Sequence, residues 1–271
     1  MISLAGIAVG AGRPLLVIAG PDVIESEAHA LRHARLLREI AERHGLPYVF
    51  KCSYDKANRT SGNAFRGPGL VEGLRVLAKV KAEAKVPVLT DVHEVVQVAP
   101  VAEVVDILQV PAFLCRQTDL VVAVARTGRG VNLKKGQFVA PLDMVQAARK
   151  ATEAGNPNVL VTERGASFGY RNLVVDMRGL AQMRDAGLAV CFDATHSVQL
   201  PSAAGDASGG ERQFVPVLAR AAVAAGVDAV FMEVHEDPER APCDGPSSLT
   251  PAMADALLGE LVAIRRALGQ R

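Results

Sequence analysis

LLVIAG at 15–20, PDVIESEAHALRHARLLREIAERHG at 21–45 and YVFK at 48–51 decide the architecture. Leu15 to Ala19 is too short an apolar run for a helix and reads as a strand buried on both faces. In the stretch that follows, Leu31, Ala34, Leu37 and Ile40 share one helical face, Ser26 is placed to cap its start and Gly45 stands just past its end. A second apolar run, Tyr48 to Lys51, completes a strand–helix–strand step. The same alternation continues outward through runs at Val88 to Asp91, Ile107 to Val110, Val131 to Lys134, Val159 to Thr162, Ala189 to Asp193 and Ala229 to Glu233. Strands buried on both faces and separated by helices demand a parallel sheet, and eight such units without a linker predict an α/β protein, a single-domain (β/α)8 TIM barrel over residues 1–271. Residues 1–13 read as a short N-terminal extension. An open doubly wound sheet is the competing architecture, but no G-x-G-x-x-G follows the first strand and no G-x-x-x-x-G-K-[ST] occurs.

Composition narrows the function. The chain has 271 residues, 49% of them hydrophobic, enough to bury a sizeable core. Thirty Lys and Arg against 29 Asp and Glu leave a net charge of +1, without the excess that a nucleic-acid-coating protein needs. Absence of Trp and 4% aromatic residues argue against base-stacking platforms and interfacial belts. Neither nucleic acid nor membrane is expected as a partner. Cys52, Cys115, Cys191 and Cys243 form no C-x-x-C pair, so a reducing cytoplasm is the expected compartment. No apolar run reaches the roughly 20 residues of a membrane span, and no signal peptide is recognisable.

In a barrel, chemistry belongs at the C-terminal ends of the strands. Polar residues gather there: Asp22, Lys51, Asp91 with His93, Gln109, Lys134, Glu163 with Arg164, Asp193 with His196, and Glu233 with His235. The densest segment, KCSYDKANRTS at 51–61, sets Lys51, Lys56 and Arg59 among Ser53, Asn58, Thr60 and Ser61. Cations and hydroxyls in one loop suit phosphate and carboxylate oxygens, since Arg offers a planar fork and Lys a point charge. With Lys134 and Arg164 converging on the same face, the expected substrate is anionic with more than one such group. Asp22, His196, Glu233 and Asp244 form a second constellation. It can hold a divalent cation, with Mn, Fe or Mg more natural than Zn where carboxylates dominate, or it can orient His196 as an acid or base. GDASGG at 205–210, before a helix expected to begin near Glu211, reads as a lid.

KANRTS at 56–61, PAFLCRQTDL at 111–120, NLKKGQF at 132–138 and FDATHSVQLP at 192–201 occur in order, joined by TERGASFGY, GDASGG and CDGPSSL. With them the chain resembles, from about Ile18 to Leu249, the 3-deoxy-D-manno-octulosonate 8-phosphate (KDO 8-phosphate) synthase family. The related 3-deoxy-arabino-heptulosonate 7-phosphate synthases typically have KPRTS where this chain has KANRTS. The resemblance implies condensation of phosphoenolpyruvate with arabinose 5-phosphate on the way to lipopolysaccharide. By residue matching it implies that Lys51, Ser53, Lys56, Gln109, Lys134 and Arg164 hold phosphoenolpyruvate and that Asn58, Arg59 and Thr60 hold the pentose phosphate. Asp91, His196, Lys56 and Asp244 are implied as catalytic, with Gln199 supporting them. Arg116 matches an arginine that reaches a neighbouring subunit's sugar phosphate, which implies a homotetramer. Members carry Cys in a metal-binding class or Asn in a metal-free class at the position of Asp22. Asp there leaves two readings, a divalent cation on Asp22, His196, Glu233 and Asp244, or a neutral, protonated Asp22 that mimics Asn. Two rival functions stand beside the octulosonate synthase: the heptulosonate synthase, which uses erythrose 4-phosphate, and a non-catalytic sugar-phosphate-binding barrel.

Overall fold

A computed structural model describes residues 1–59, 61–202 and 208–270. Its centre is a closed parallel barrel of β1 (Leu16–Gly20), β2 (Tyr48–Lys51), β3 (Val88–Asp91), β4 (Ile107–Val110), β5 (Gly130–Lys134), β6 (Val159–Glu163), β7 (Ala189–Asp193) and β8 (Ala229–Glu233). β8 pairs with β1 in parallel register, Phe231 opposite Ile18, and so closes the ring that an open sheet would leave unpaired. The helices are α1 (Glu27–Arg43), α2 (Leu70–Ala84), α3 (Val95–Val104), α4 (Thr118–Arg126), α5 (Asp143–Glu153), α6 (Met177–Asp185), α7 (Val215–Ala224) and α8 (Pro251–Ala267). The α1 signals act as their chemistry demands: Ser26 Oγ accepts from His29 N at 3.2 Å, and Gly45 takes φ +67°, a left-handed turn that glycine adopts without strain. α7 starts later than Glu211 because Arg212–Phe214 first forms a 3-10 turn. Among the described residues no helix is long and apolar enough to cross a membrane.

The two faces of each strand bury against different partners. Leu15, Val17, Phe50, Leu108 and Val190 point outward into the layer shared with the helices. Leu16, Ile18, Val49, Leu89, Ile107, Leu160, Cys191 and Phe231 point into the lumen, as the two-residue period of a strand requires. The N-terminal extension is more than a tail. Ile2–Leu4 and Ile7–Val9 pair antiparallel, and fully buried Leu4 joins the lumen cluster. A Cβ on Gly130 would stand 2.8 Å from Leu4 Cδ2, so the bare backbone at the start of β5 admits this plug. The barrel is thereby closed at its N-terminal end.

Candidate active site

Extending the lumen-facing alternation by one step places the chemistry. Two residues after Val49, Leu89, Ile107, Cys191 and Phe231 come Lys51, Asp91, Gln109, Asp193 and Glu233, and the same parity reaches Lys134 on β5 and Arg164 after β6. All seven are buried. Lys51, Asp91, Gln109, Lys134 and Arg164 border a cavity of about 510 Å³ at the C-terminal end, lined also by Lys56, Asn58, Arg59, His196, Gln199 and Asp244. The ring of Phe231, in the lumen, lies 4.2 Å from the Lys134 ammonium and 5.6 Å from the Lys51 ammonium, a favourable contact for cations deprived of water.

Two side-chain chains fix the cationic groups. In the first, Lys51 Nζ donates to Ser53 Oγ (2.9 Å), which donates to Asp91 Oδ1 (2.5 Å), while His93 Nε2 stands 2.8 Å from Asp91 Oδ2. Burial would raise the Asp91 pKa, but the His93 bond and the Lys51 charge override it and hold the carboxylate ionised. In the second, Arg164 Nη2 donates to Gln199 Oε1 (2.6 Å) and Gln199 Nε2 donates to Asp244 Oδ2 (2.5 Å). Arg164 Nη1 is buried without a partner among the described residues, a donor available to an anion in the cavity. Gln109 is oriented from below: Thr162 Oγ1 donates to Asn132 Oδ1 (2.6 Å), and Asn132 Nδ2 donates to Gln109 Oε1 (3.0 Å). That spends the oxygen of Gln109 and turns its amino group to the cavity. Lys134 Nζ donates to Asp193 Oδ2. Burial lowers the Lys134 pKa, and Asp193 counters part of that shift.

Asp22, His196, Glu233 and Asp244 meet beside these cations, one ligand atom of each lying within 4.8 Å of the others. Gly20 makes the approach possible, for a Cβ there would fall 2.0 Å from the Lys51 carbonyl oxygen. Asp244 occupies φ +51°, a left-handed conformation costly for a side-chain-bearing residue and one that Asp tolerates better than most. His196 Nδ1 is 2.8 Å from Asp193 Oδ2, while Nε2 faces Glu233 Oε1 at 3.3 Å and Asp244 Oδ2 at 3.6 Å. An ionised Asp193 on Nδ1 holds the proton there and leaves the Nε2 lone pair for the cluster, the arrangement that supports a metal-bound imidazole. Burial lowers the His196 pKa to about 4, so the ring is neutral at pH 7. Asp22 Oδ2 and both Glu233 carboxylate oxygens are buried without hydrogen-bond partners among the described residues. Three orphaned oxygens and one imidazole lone pair fit a divalent cation.

The ammoniums beside Asp22 oppose its protonation. Burial favours the neutral acid at Asp22, but Lys56, in direct contact, and Lys51, 3.9 Å away, keep its pKa well below the usual range. Burial and then the Asp22 charge raise Glu233 well above its ordinary value, and the same two causes lift Asp244 to about 6. Three carboxylates are thus crowded together, and burial with mutual repulsion raises Glu233 and Asp244 while the neighbouring ammoniums favour the ionised form of Asp22.

Several residues stand differently from expectation. Asn58 is exposed at the rim, and Arg59 donates to Cys243 Sγ and, at 3.4 Å, to the Pro242 carbonyl. Thr60 lies outside the described residues, as do positions 205–207 of the expected lid; Gly209–Gly210 pairs antiparallel with Gln199–Leu200. Arg116 is exposed and does not line the cavity of its own chain. Glu163 turns away to accept from the amides of Arg164 (2.9 Å) and Gly165 (2.7 Å). His235 meets Glu25 at 2.7 Å, outside the cavity. Sequence reasoning assigned no role to Asp193, which anchors both Lys134 and His196, and it missed the Asn132–Thr162 support of Gln109 and Cys243 beside Arg59. The lumen parity of Asp193, Asn132 and Thr162 was the available signal.

A model of the DAHP synthetase I family matches residues 1–266. Proteins of Trichlorobacter lovleyi and Pelobacter propionicus, each named 2-dehydro-3-deoxyphosphooctonate aldolase, are 60% identical to this chain over 263 residues, 97% of either chain. One of Geobacter sp. (strain M21) with the same name is 58% identical over 269 residues, 99% of this chain and 98% of its own.

Proposed function

The chain belongs to the DAHP synthetase I family, and on that footing we propose that it condenses phosphoenolpyruvate, D-arabinose 5-phosphate and water to 3-deoxy-D-manno-octulosonate 8-phosphate and phosphate, a step toward lipopolysaccharide. The octulosonate name borne by relatives at 58–60% identity favours the pentose phosphate over erythrose 4-phosphate. The observation that carries the reading is the convergence of Lys51, Lys56, Lys134 and Arg164 on one cavity. Two substrates bring two phosphates and one carboxylate, and four cations match that load. A non-catalytic sugar-phosphate binder would have no use for the ionised Asp91 and the acidic cluster beside those cations.

Lys51, Ser53, Lys56, Gln109, Lys134 and Arg164 hold the carboxylate and phosphate of phosphoenolpyruvate, deep in the cavity. Asn58, Arg59 and Thr60 hold the pentose phosphate nearer the rim. Anchoring both ends brings C3 of the enol to the aldehyde carbon and makes the encounter effectively intramolecular. The new C3–C1 bond uses the enol π electrons, the aldehyde oxygen takes a proton, water adds at C2, and the C2–O bond to phosphate breaks. Asp91, held ionised, and His196, neutral, are placed to move the protons of the water, while Gln199 orients Arg164 and Asp244. Lys56 and the other cations stabilise the departing phosphate. A divalent ion on Asp22, His196, Glu233 and Asp244 would neutralise the carboxylates and polarise an oxygen in reach. With three carboxylates and one imidazole, Mn or Fe suits the set better than Zn or Mg.

Four unpaired cysteines suit the cytoplasm. A homotetramer is proposed as well, with Arg116 reaching a neighbouring copy's sugar phosphate. Phosphate release from phosphoenolpyruvate with arabinose 5-phosphate or erythrose 4-phosphate, with and without chelator, tests the function. Comparable turnover of both sugars overturns the pentose assignment, and no release with either overturns the enzyme.

A further inference from the structure

Away from the cavity, between α1 and the segment after β8, lies a second group of metal-ligating side chains: Glu25, His29 and His235, with one ligand atom of each within 4.8 Å of the others. His235 Nε2 is 2.7 Å and His29 Nε2 3.7 Å from the same oxygen, Glu25 Oε1. The His29 ring packs against His33 and His235, with centroids 4.1 and 4.9 Å apart. Its side chain is 8% exposed, yet neither ring nitrogen has a hydrogen-bond partner among the described residues. A neutral imidazole carries one donor and one acceptor, and leaving both unmet in a dry site is a cost that native interiors avoid. His33 shows the contrast, for its Nδ1 meets the His29 carbonyl at 2.9 Å and its Nε2 accepts from Glu236 N at 3.2 Å.

We propose that Glu25, His29 and His235 form a second divalent-cation site, of the zinc type, that staples the β1–α1 loop to the segment following β8. Two imidazoles and one carboxylate make a three-ligand set that zinc accepts, with a fourth position left for water. The Glu25 side chain, 29% exposed, gives that position access to solvent. His29 and Glu25 can ligate as they stand. His235 needs an adjustment: its Nδ1 accepts from Asp237 N at 2.9 Å, which keeps the ring proton on Nε2 facing Glu25. Ligation through Nε2 moves that proton to Nδ1 and obliges the Asp237 amide to turn aside. Asp22 lies just before Glu25 and Glu233 just before His235 in the chain, so a bound ion would hold together the two segments that carry those carboxylates.

The test uses the metal-stripped full-length protein in equilibrium dialysis against Zn²⁺, with Co²⁺ absorption as a check on coordination, and is independent of the reaction proposed above. Wild type is expected to bind one ion per chain more than Glu25→Gln or His29→Gln, and His196→Gln is expected to retain that ion. Glu25→Gln, at a partly exposed position, carries the test if His29→Gln fails to fold. Stoichiometry and Co²⁺ spectrum unchanged from wild type in Glu25→Gln would overturn the site and leave the histidines as core packing.

Discussion

Asp22 sets the electrostatics of its neighbours, and its replacement should be felt at Glu233 first. Asp22→Asn removes the charge that helps raise Glu233 and Asp244 and takes away one ligand oxygen. Cation affinity and turnover are expected to fall together, measured by metal titration and phosphate release; full activity of both wild type and variant in excess chelator would remove the metal from the mechanism. A second expectation concerns pH. Asp244 titrates at about 6 in the fold and near 4 when unfolded, so between those values the native state holds a proton that the unfolded chain has released. Stability of the metal-free protein should therefore fall as pH rises through that window, and Glu233, also raised, acts in the same direction. Asp22, with its pKa depressed, acts in the opposite sense: its pairing with Lys56 stabilises above the ordinary carboxylate range and is lost in acid. A bound cation displaces the Asp244 proton, so the stabilisation it confers should grow as pH rises from the ordinary carboxylate range through about 6, as thermal melts with and without metal will show; a pH-independent increment contradicts this. At the rim, Arg59→Ala should raise KM for arabinose 5-phosphate about 10- to 150-fold, the equivalent of about 1.5–3 kcal/mol for a charge-assisted contact, with a smaller change for phosphoenolpyruvate. An equal loss for both substrates would place Arg59 wrongly.

Among the elements, the N-terminal hairpin makes the most separable contribution. Leu4 is fully buried in the lumen floor, far from the cations at the other end, so Leu4→Ala should cost about 3–5 kcal/mol in chemical denaturation with kcat nearly unchanged. A stability change below about 1 kcal/mol would mean that the plug merely rests on the barrel. This hairpin also marks where the sequence ceases to be readable. The eight strands were legible because each is a short apolar run bounded by turn residues, and the capping chemistry of Ser26 and Gly45 was equally plain. ISLAGIAV at 2–9 has too few residues for its pairing to register, and its burial depends on a lumen that exists only once β8 meets β1. Lys51, Gln109, Lys134 and Arg164 could be found as polar interruptions at strand ends. The Asp193 grip on Lys134 and the Thr162–Asn132–Gln109 chain join residues distant in sequence, and only the assembled barrel brings them together.

For the molecule as a whole, loops following β4, β5 and β6 leave Phe113, Phe138, Phe168 and Tyr170 exposed, Tyr170 completely. Large apolar side chains on loops at one end of the barrel suit the proposed tetramer, and light scattering should find a tetramer that Phe138→Ser with Phe168→Ser weakens toward smaller species. A wild-type monomer at micromolar concentration would refute it. The hairpin that seals the lower end has a last consequence for the proposed reaction. A vessel with one mouth is a queue. On the proposed reading, phosphoenolpyruvate against Lys51, Gln109 and Lys134 is expected to enter before the pentose phosphate settles at Asn58 and Arg59, and initial-rate kinetics should show that order. The expected order of arrivals and departures follows from a lumen filled with side chains, capped at the end farthest from the chemistry by a hairpin of two short strands and its Leu4.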